Sequence, residues 1–159
     1  MERIIIADSL KDVHELEWNS ISGSNPFLQY YFLSALEETG CAVMNTGWAQ
    51  QYILLYRDEK LVAAAPMYLK THSRGEFVFD FAWADAYEKH GLQYYPKAVI
   101  AVPFTPVSGQ RLLGKSMHDK LTVAKAAIQY TSKVGISSIH VLFPNSTDLT
   151  SLNESPPIL

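Results

Sequence analysis

The chain has 159 residues, of which 48% are hydrophobic and 18% are charged. This length and balance are typical of one folded domain with a real core, and they exclude a chain that is disordered throughout. The net charge of -3 provides no general attraction for nucleic acid or anionic membranes, and the single cysteine excludes an internal disulfide and a cysteine-based metal cluster.

The segment at the N-terminus, MERIIIADSL, lacks the long apolar stretch of a signal peptide. No apolar run along the chain approaches the roughly 18 residues that a membrane-spanning helix needs. We therefore expect a cytoplasmic protein with no membrane span and no DNA partner. The histidines show no metal-ligand spacing with one another or with Cys41, so we also expect no metal site.

Local patterns predict an alternation of strands and helices along the chain. In order, they are a strand at 3–7, a helix capped at 8 or 9 and ending near 21, a helix from a cap at 25 to about 39, strands at 51–56, 61–70 and 76–79, a helix at 82–90, a strand at 97–104, a helix at 116–134 and a strand at 138–143. Pro66 falls inside one of these strands. Because proline cannot donate to a ladder, we expect an edge position or a bulge there.

The order of these elements predicts one domain over residues 1–159. The strands at 51–56 and 61–70 are joined by a tight polar turn and predict an antiparallel hairpin, whereas the strand–helix–strand order near the end implies a parallel pair. We therefore expect an α/β (α+β) fold in which a central sheet of mixed parallel and antiparallel strands carries helices on both faces.

Residues 109–116, GQRLLGKS, match the nucleotide-binding pattern G-x-x-x-x-G-K-[ST]. In such a loop the backbone amides hold phosphates, the lysine meets the outer phosphates and the hydroxyl binds Mg²⁺. Two features oppose this interpretation. Residues 103–108 separate the loop from the strand before it, and the bulky side chains at 111–113 would crowd a phosphate. Nucleotide binding through Gly109 to Ser116 is therefore a third alternative for function.

Residues 61–114 combine many aromatic side chains with charged ones, which is unusual for a core strand or a surface helix because buried charges need partners. The side chains in this block that can act as a general base or position an amine are His72, Glu76, Asp80 and Asp85. The run EFVFD at 76–80 alternates, so a strand there would place both acids on one face. The alternative interpretation is that the acids pair with nearby cations and that His72 lies in a solvated turn.

Aromatic and hydroxyl side chains around Lys97 suit the binding of a polar organic ligand. The candidate substrate-binding residues are Lys70, Trp83, Tyr95, Phe104, Thr105 and Arg111.

A looser pattern overlaps the nucleotide-binding one. Arg111, Gly114 and Ser116, between a strand and a long helix, approximate the R/Q-x-x-G-x-G/A loop with which GNAT acetyltransferases hold the pyrophosphate of acyl-CoA at a helix N-terminus. These three residues are the candidates for cofactor binding. The alternative is that Ser116 only caps the helix and that Gly114 only permits a turn.

Several long segments resemble the FemAB-like branch of the GNAT acyltransferase superfamily, whose members are labelled peptidoglycan biosynthesis or recognition proteins. These segments are NPFLQYYFLSALEETG at 25–40, GW at 47–48, APMYLKTHSRGEFVFDFAWADAY at 65–87 and YYPKAVIAVPFTPVSGQRLL at 94–113. The resemblance covers nearly the whole chain. It implies a GNAT-like fold and acyl or aminoacyl transfer to an amine of a cell-wall precursor, with acyl-CoA or aminoacyl-tRNA as the donor.

On this resemblance, one wall of the acceptor cleft comprises Lys70, His72, Glu76, Asp80, Trp83 and Asp85, and the opposing side comprises Tyr95, Phe104, Thr105 and Arg111. Members of this branch normally continue into a similar second half, and nothing after Pro144 supplies its aromatic and basic stretch. We therefore expect the N-terminal half of a longer two-domain protein, inactive in isolation, that takes a small-molecule or peptide amine. The alternative is a non-catalytic binding domain whose open apolar surface is covered by a second half or by a homodimer partner.

Overall fold

The computed structural model describes residues 1–154. The strands are β1 (Glu2–Ala7), β2 (Trp48–Gln50), β3 (Tyr52–Arg57), β4 (Lys60–Ala65), β5 (Met67–Lys70), β6 (Lys97–Ile100), β7 (Leu113–Gly114) and β8 (Ile139–Val141). The helices are α1 (Glu15–Ser22), α2 (Tyr30–Glu38), α3 (Phe81–Lys89), α4 (Met117–Lys133) and α5 (Ser146–Glu154), and single 3₁₀ turns lie at Pro26–Leu28 and Met44–Thr46.

The strands form two four-stranded sheets within residues 1–154. The first has the order β1-β3-β4-β7 and is antiparallel throughout. The second has the order β2-β5-β6-β8 and is mixed, because β6 and β8 run parallel while its other pairs are antiparallel. The predicted hairpin and the predicted parallel pair are confirmed. The architecture is a mixed α/β fold that is consistent with a GNAT-like fold.

The chain passes from the first sheet to the second at Pro66. β4 ends at Ala65 and β5 begins at Met67, and the carbonyl of Pro66 accepts a hydrogen bond from the amide of Ala101 at 3.2 Å. Because proline has no N–H, the ladder of the first sheet cannot continue through it. The edge position or bulge predicted at Pro66 is therefore wrong: Pro66 instead divides the predicted strand at 61–70 between two sheets.

Successive residues of β3 face opposite sides of the first sheet, as expected for a strand. Tyr52 and Leu54 join an apolar cluster with Trp18 of α1, whereas Ile53 and Leu55 join a second cluster with residues of α4. Both clusters are buried from solvent. The first sheet therefore carries helices on both faces, as the sequence predicts.

The helix predicted to be capped at 8 or 9 begins only at Glu15. The amide of Leu10 donates to the carboxylate of Glu37 at 3.2 Å, and the Ser9 hydroxyl donates to the same carboxylate. These bonds hold the connection between β1 and α1 against α2, so this connection does not form a helix. The predicted cap at Asn25 is confirmed, since its Oδ1 accepts from the amide of Phe27 at 3.0 Å.

The predicted strand at 76–79 is wrong, because residues 76–80 form an irregular loop. Phe77 has a φ of 59°, which is incompatible with an extended run. Glu76 and Asp80 both turn inward from this loop, toward a buried lysine. Within residues 1–154, no helix is long and apolar enough to cross a membrane.

Candidate functional site

A cluster of buried charged side chains lies where the start of β6 meets the loop before α3. Lys97 opens β6 and is 1% exposed, and its Nζ donates to Glu76 Oε2 at 2.7 Å and to Asp80 Oδ2. Both carboxylates are also buried. Because an unpaired buried charge is costly, sharing one lysine between two acids allows this polar loop to lie inside the protein.

Asp80 is surrounded by donors. Its carboxylate accepts hydrogen bonds from Ser73, Tyr94 and Lys97. Burial alone would raise the pKa of Asp80, but these donors outweigh burial and lower the pKa to about 2. The carboxylate is therefore ionised at neutral pH and both oxygens are occupied, so it holds its neighbours in place and is poorly suited to take up a proton.

Glu76 differs from Asp80, although the two share Lys97. Burial raises the pKa of Glu76, and the ammonium of Lys97 opposes that shift. Its Oε1 has no hydrogen-bond partner among residues 1–154. A buried carboxylate with a raised pKa and a free oxygen is the acid of this cluster better suited to accept a proton.

Lys70 lies at the end of β5 and is completely buried. Its Nζ donates to the carbonyl of Arg74 at 3.1 Å and lies 3.6 Å from the ring centroid of Trp48. Burial is the main cause that lowers the pKa of Lys70 to about 8; Lys97 adds to the shift and Glu76 opposes it. A measurable fraction of this amine is therefore neutral near physiological pH.

An aromatic groove of about 230 Å³ opens beside this cluster, lined by Trp83, Tyr87, Tyr94, Ser138 and His140. Trp83 and Tyr87 are one turn apart on α3, and the Tyr94 ring packs edge-on against Tyr87 at 5.2 Å between centroids. The Tyr94 hydroxyl donates to Asp80 at 2.6 Å. The buried ion pair of Asp80 with Lys97 therefore holds Tyr94, and with it one wall of the aromatic groove, in place.

His140 supplies the ionisable group that faces the aromatic groove. Its Nε2 lies 2.8 Å from Ser138 Oγ and 3.5 Å from Tyr94 Oη. Burial and then Lys97 lower the pKa of His140 from its ordinary value of 6.5, while Asp80 opposes the shift. The imidazole is therefore neutral at pH 7 and can accept a proton.

The structure brings Tyr95 into the cluster and not onto an opposing side, because its hydroxyl lies 2.6 Å from Ser73 Oγ. Phe104 is half-exposed and packs on Trp48, with 5.5 Å between ring centroids. Thr105 donates to the carbonyl of Pro103 within its own loop. Phe104 therefore covers the Lys70 side of the cluster, and Thr105 shapes the neighbouring loop.

His72 and Asp85 lie outside the aromatic groove. His72 packs over Gly47, where an added Cβ would come 2.3 Å from Nε2, and its Nδ1 accepts from the amide of Arg74 at 3.2 Å. Burial and the nearby Lys70 lower the pKa of His72. Asp85 is exposed on α3. Catalytic roles for these two residues stay predictions.

Arg111 occupies a different part of the molecule and is 1% exposed. Its guanidinium donates to three backbone carbonyls, those of Val107, Gln110 and Leu142, at 2.7–2.8 Å. This arrangement differs from the predicted substrate or phosphate contact, because the guanidinium is already enclosed by the protein. Arg111 instead ties the loop before β7 to the end of β8.

The loop at 109–116 also differs from a phosphate cradle. The amides of Arg111 and Leu112 both donate to the carboxylate of Asp148, so an acid of the protein occupies the place a phosphate would need. Gly114 belongs to β7, where an added Cβ would come 3.1 Å from Ala63. Ser116 caps α4 by accepting from the amide of Asp119 at 3.1 Å. The residues present here do not fit the pyrophosphate of acyl-CoA or a nucleotide.

Sequence reasoning did not select Tyr94, Lys97, Ser138 or His140 as site residues. Lys97 had a usable signal, because it opens the otherwise apolar run KAVIA and a buried lysine must have acidic partners. His140 interrupts the apolar strand IHVLF in the same way. No signal in the sequence brings α3 next to the start of β8, and this contact forms the aromatic groove.

An aromatic edge, residues 77–83, adjoins the groove through Trp83. Phe77, Phe79, Phe81 and Trp83 are 58%, 86%, 64% and 66% exposed. The single charged residue of the segment, Asp80, points inward to Lys97. The edge therefore presents an uncharged aromatic surface to solvent, which is typical of an interaction site.

The chain matches no curated protein and no solved structure. It does match the model of a protein family, FemAB-like, described as peptidoglycan biosynthesis/recognition, over residues 9–157. That match spans nearly all of the chain, including the buried charged cluster around Lys97 and the aromatic groove. The chain belongs to the FemAB-like family of peptidoglycan biosynthesis and recognition proteins.

Proposed function

We propose that the aromatic groove holds the amine acceptor of an N-acyl or aminoacyl transfer reaction on a cell-wall precursor. The observation that carries this proposal is a neutral imidazole, His140, at the wall of a groove formed by Trp83, Tyr87 and Tyr94. Aromatic faces attract an alkylammonium group through their quadrupoles, and a neutral histidine can take its proton.

In the proposed reaction the amine nitrogen attacks the carbonyl carbon of a thioester or an aminoacyl ester. The C–N bond forms, the C–S or C–O bond breaks, and His140 takes the proton from nitrogen and passes it to the leaving thiolate or alkoxide. The amine must be neutral when it attacks, so His140 acts as the general base. No donor site is assigned to the loop at 109–116, because its amides and Arg111 are already occupied.

The buried cluster has a positioning role in this proposal. Asp80 holds the Tyr94 hydroxyl, and Lys97 holds Asp80, so the back of the aromatic groove is fixed before the substrate arrives. Glu76 completes the cluster as the second carboxylate partner of Lys97. A pre-organised wall of this kind reduces the ordering cost of binding and keeps His140 in place.

Transfer of a labelled acyl or aminoacyl group to a cell-wall peptide amine tests the proposal. We expect His140→Gln to lower kcat by roughly 10²–10⁴-fold, the usual contribution of a general base. His118→Gln is the matched control, because His118 is exposed on α4 and lies outside the groove. Equal rates for His140→Gln and His118→Gln would overturn the assignment.

A second candidate function is a non-catalytic binding domain, and the aromatic edge favours it. Four exposed aromatic side chains with no outward charge between them suit a second domain or a second copy of the chain. Analytical sedimentation of the wild type and of Phe79→Ser tests this binding role. A dimer that this substitution dissociates supports the binding role, and a monomer in both cases removes the support.

A further inference from the structure

Ser138 and His140 form a hydrogen-bonded pair in the wall of the aromatic groove, and the proposed transfer reaction uses only the histidine of this pair. Ser138 Oγ lies 2.8 Å from His140 Nε2, and both side chains line the groove. Within residues 1–154, the Ser138 hydroxyl has no other hydrogen-bond partner. A hydroxyl within hydrogen-bond reach of a neutral imidazole, and open to a cavity, is the arrangement of an activated serine nucleophile.

The position of this pair follows from the backbone of β8. Ser138 immediately precedes the strand and His140 lies two positions later, so both side chains project from the same face. The carbonyl of Ser138 accepts from the amide of Ala98 at 2.9 Å, next to the parallel pairing of β8 with β6. The Ser137 hydroxyl donates to the carbonyl of Tyr94. The backbone that carries the pair is therefore held by β6 and by the groove wall before a ligand binds.

His140 Nε2 is placed to accept the proton of the Ser138 hydroxyl. Tyr94 Oη is the other oxygen near Nε2, at 3.5 Å, but the Tyr94 hydroxyl donates to Asp80. In the neutral imidazole with its proton on Nδ1, the lone pair of Nε2 therefore accepts from Ser138. Burial and then Lys97 lower the pKa of His140, so the imidazole is neutral at pH 7 and can take this proton.

The walls of the aromatic groove suit a small acyl group. The other lining residues are Trp83, Tyr87 and Tyr94, so no lining side chain is charged while His140 is neutral. An uncharged ester loses less hydration than an ion when it enters such a groove. The volume of about 230 Å³ lies below the range of drug-sized sites, which begins near 300 Å³, so it favours a short acyl group.

We propose that Ser138 is a nucleophile that His140 activates, and that the aromatic groove hydrolyses activated short-chain acyl esters and thioesters through a seryl ester. Ser138 Oγ bonds to the carbonyl carbon, the bond from that carbon to the leaving oxygen or sulfur breaks, and His140 carries the hydroxyl proton to the leaving group. Water then attacks the seryl ester, and His140 takes a proton from water and returns it to Ser138 Oγ as the carboxylic acid leaves. This activity goes beyond the proposed transfer, because it needs no amine acceptor.

The test uses p-nitrophenyl acetate in a buffer without amines. We expect an initial burst of p-nitrophenol, the kinetic sign of a covalent acyl intermediate, followed by slower turnover. Protein quenched in acid during the burst should carry an acetyl group on Ser138, located by mass spectrometry of its peptides. Acetylation confined to other residues, or no adduct at saturating ester, would overturn the proposal.

Matched variants separate the nucleophile from its base. We expect Ser138→Ala to lose both the burst and the adduct, and His140→Gln to form the adduct about 10²–10⁴-fold more slowly. Ser132→Ala is the control, because Ser132 is exposed on α4 and lies outside the groove, and it should react like the wild type. A burst that Ser138→Ala retains would overturn the proposal. The position of the adduct in the wild type decides the question even if a variant unfolds.

Failure of this proposal can be told apart from failure of the proposed transfer reaction. Transfer of a labelled acyl group to a peptide amine that Ser138→Ala leaves intact, with no seryl ester in the wild type, would overturn only the role of Ser138. A seryl ester in a protein that gives no amine product would support the role of Ser138 and contradict only the amine transfer.

Discussion

Lys70 and Lys97 lie directly opposite each other on β5 and β6, and both side chains are almost fully buried. Like charges opposed across two strands are destabilising. The protein offsets this repulsion by giving Lys97 two carboxylate partners and by lowering the pKa of Lys70 to about 8, chiefly through burial. The stability of the site therefore depends on the carboxylate partners of Lys97 and on the protonation of Lys70.

Replacing Lys97 with methionine should destabilise the fold strongly. The substitution leaves Glu76 and Asp80 buried without their cation, and breaking a buried ion pair from one side costs about 3–5 kcal/mol. Urea unfolding measures the change. Lys115→Met is the control, since Lys115 is exposed, and it should leave the midpoint nearly unchanged. A Lys97→Met protein as stable as the wild type would show that the acids are neutral in the fold.

Acid should weaken the wild type more than Asp80→Asn. The pKa of Asp80 is lowered to about 2, below its value in the unfolded chain, so the unfolded state binds protons first as pH falls. The stability that Asp80 contributes is present above the unfolded pKa and is lost as pH falls toward 2. We expect the wild type to lose about 1 kcal/mol more than the variant between pH 5 and pH 3.

Burial raises the pKa of Glu76, so the contribution of Glu76 to stability changes with pH in the opposite direction to that of Asp80. The unfolding free energies of Asp80→Asn and the wild type must therefore be compared at each pH. Asp85→Asn, at an exposed position of α3, is the control and should follow the wild type. Parallel pH profiles for Asp80→Asn and the wild type would contradict the donor set described for Asp80.

Alkaline pH should stabilise the wild type relative to Lys70→Met. The folded pKa of Lys70 is about 8, below its ordinary value of 10.5. Between these values the unfolded chain holds a proton that the folded protein has released, so the free energy of unfolding rises with pH. We expect a relative gain of about 1–2 kcal/mol from pH 8 to pH 9.5, measured by urea unfolding. If the difference in unfolding free energy between the wild type and Lys70→Met did not change with pH, Lys70 would have an ordinary pKa in the folded protein.

Arg111→Lys should act on stability and not on donor affinity. Lysine cannot reproduce the three carbonyl contacts of the guanidinium, and hydrogen bonds from a charged donor contribute about 1.5–3 kcal/mol each. We expect a loss of several kcal/mol in the free energy of unfolding.

Lys115→Ala, from the same loop, should be stable, and it should bind Mg²⁺-nucleotide no differently from the wild type. A nucleotide affinity that Lys115→Ala abolishes would restore the phosphate-loop interpretation.

Much of the fold could be predicted because its signals are local. The β-branched run of β1, the Asn25 cap and the long α4 each follow from a few neighbouring residues. The strand expected at 76–79 fails because a long-range contact overrides the local alternation. Lys97 draws Glu76 and Asp80 inward over 21 and 17 positions in the chain.

The candidate site was predicted only in part for the same reason. The block at 61–114 holds the buried cluster, in which Glu76, Asp80, Lys70 and Tyr95 lie close together. The run IHVLF marks His140 as a polar residue in an apolar strand, but its contact with Tyr94 could not be predicted, because that contact depends on the parallel pairing of β8 with β6. Residue types show that a buried charge needs a partner, but topology decides which partner it meets.

The most direct test of the account is to titrate the protein with a cell-wall peptide that carries a free amine and to follow the imidazole of His140 and the indole N–H of Trp83 by NMR. The account predicts that both signals shift together and saturate, and that Trp83→Ala weakens the binding. Shifts confined to other residues, or none at saturating peptide, would show that the aromatic groove is not the acceptor site.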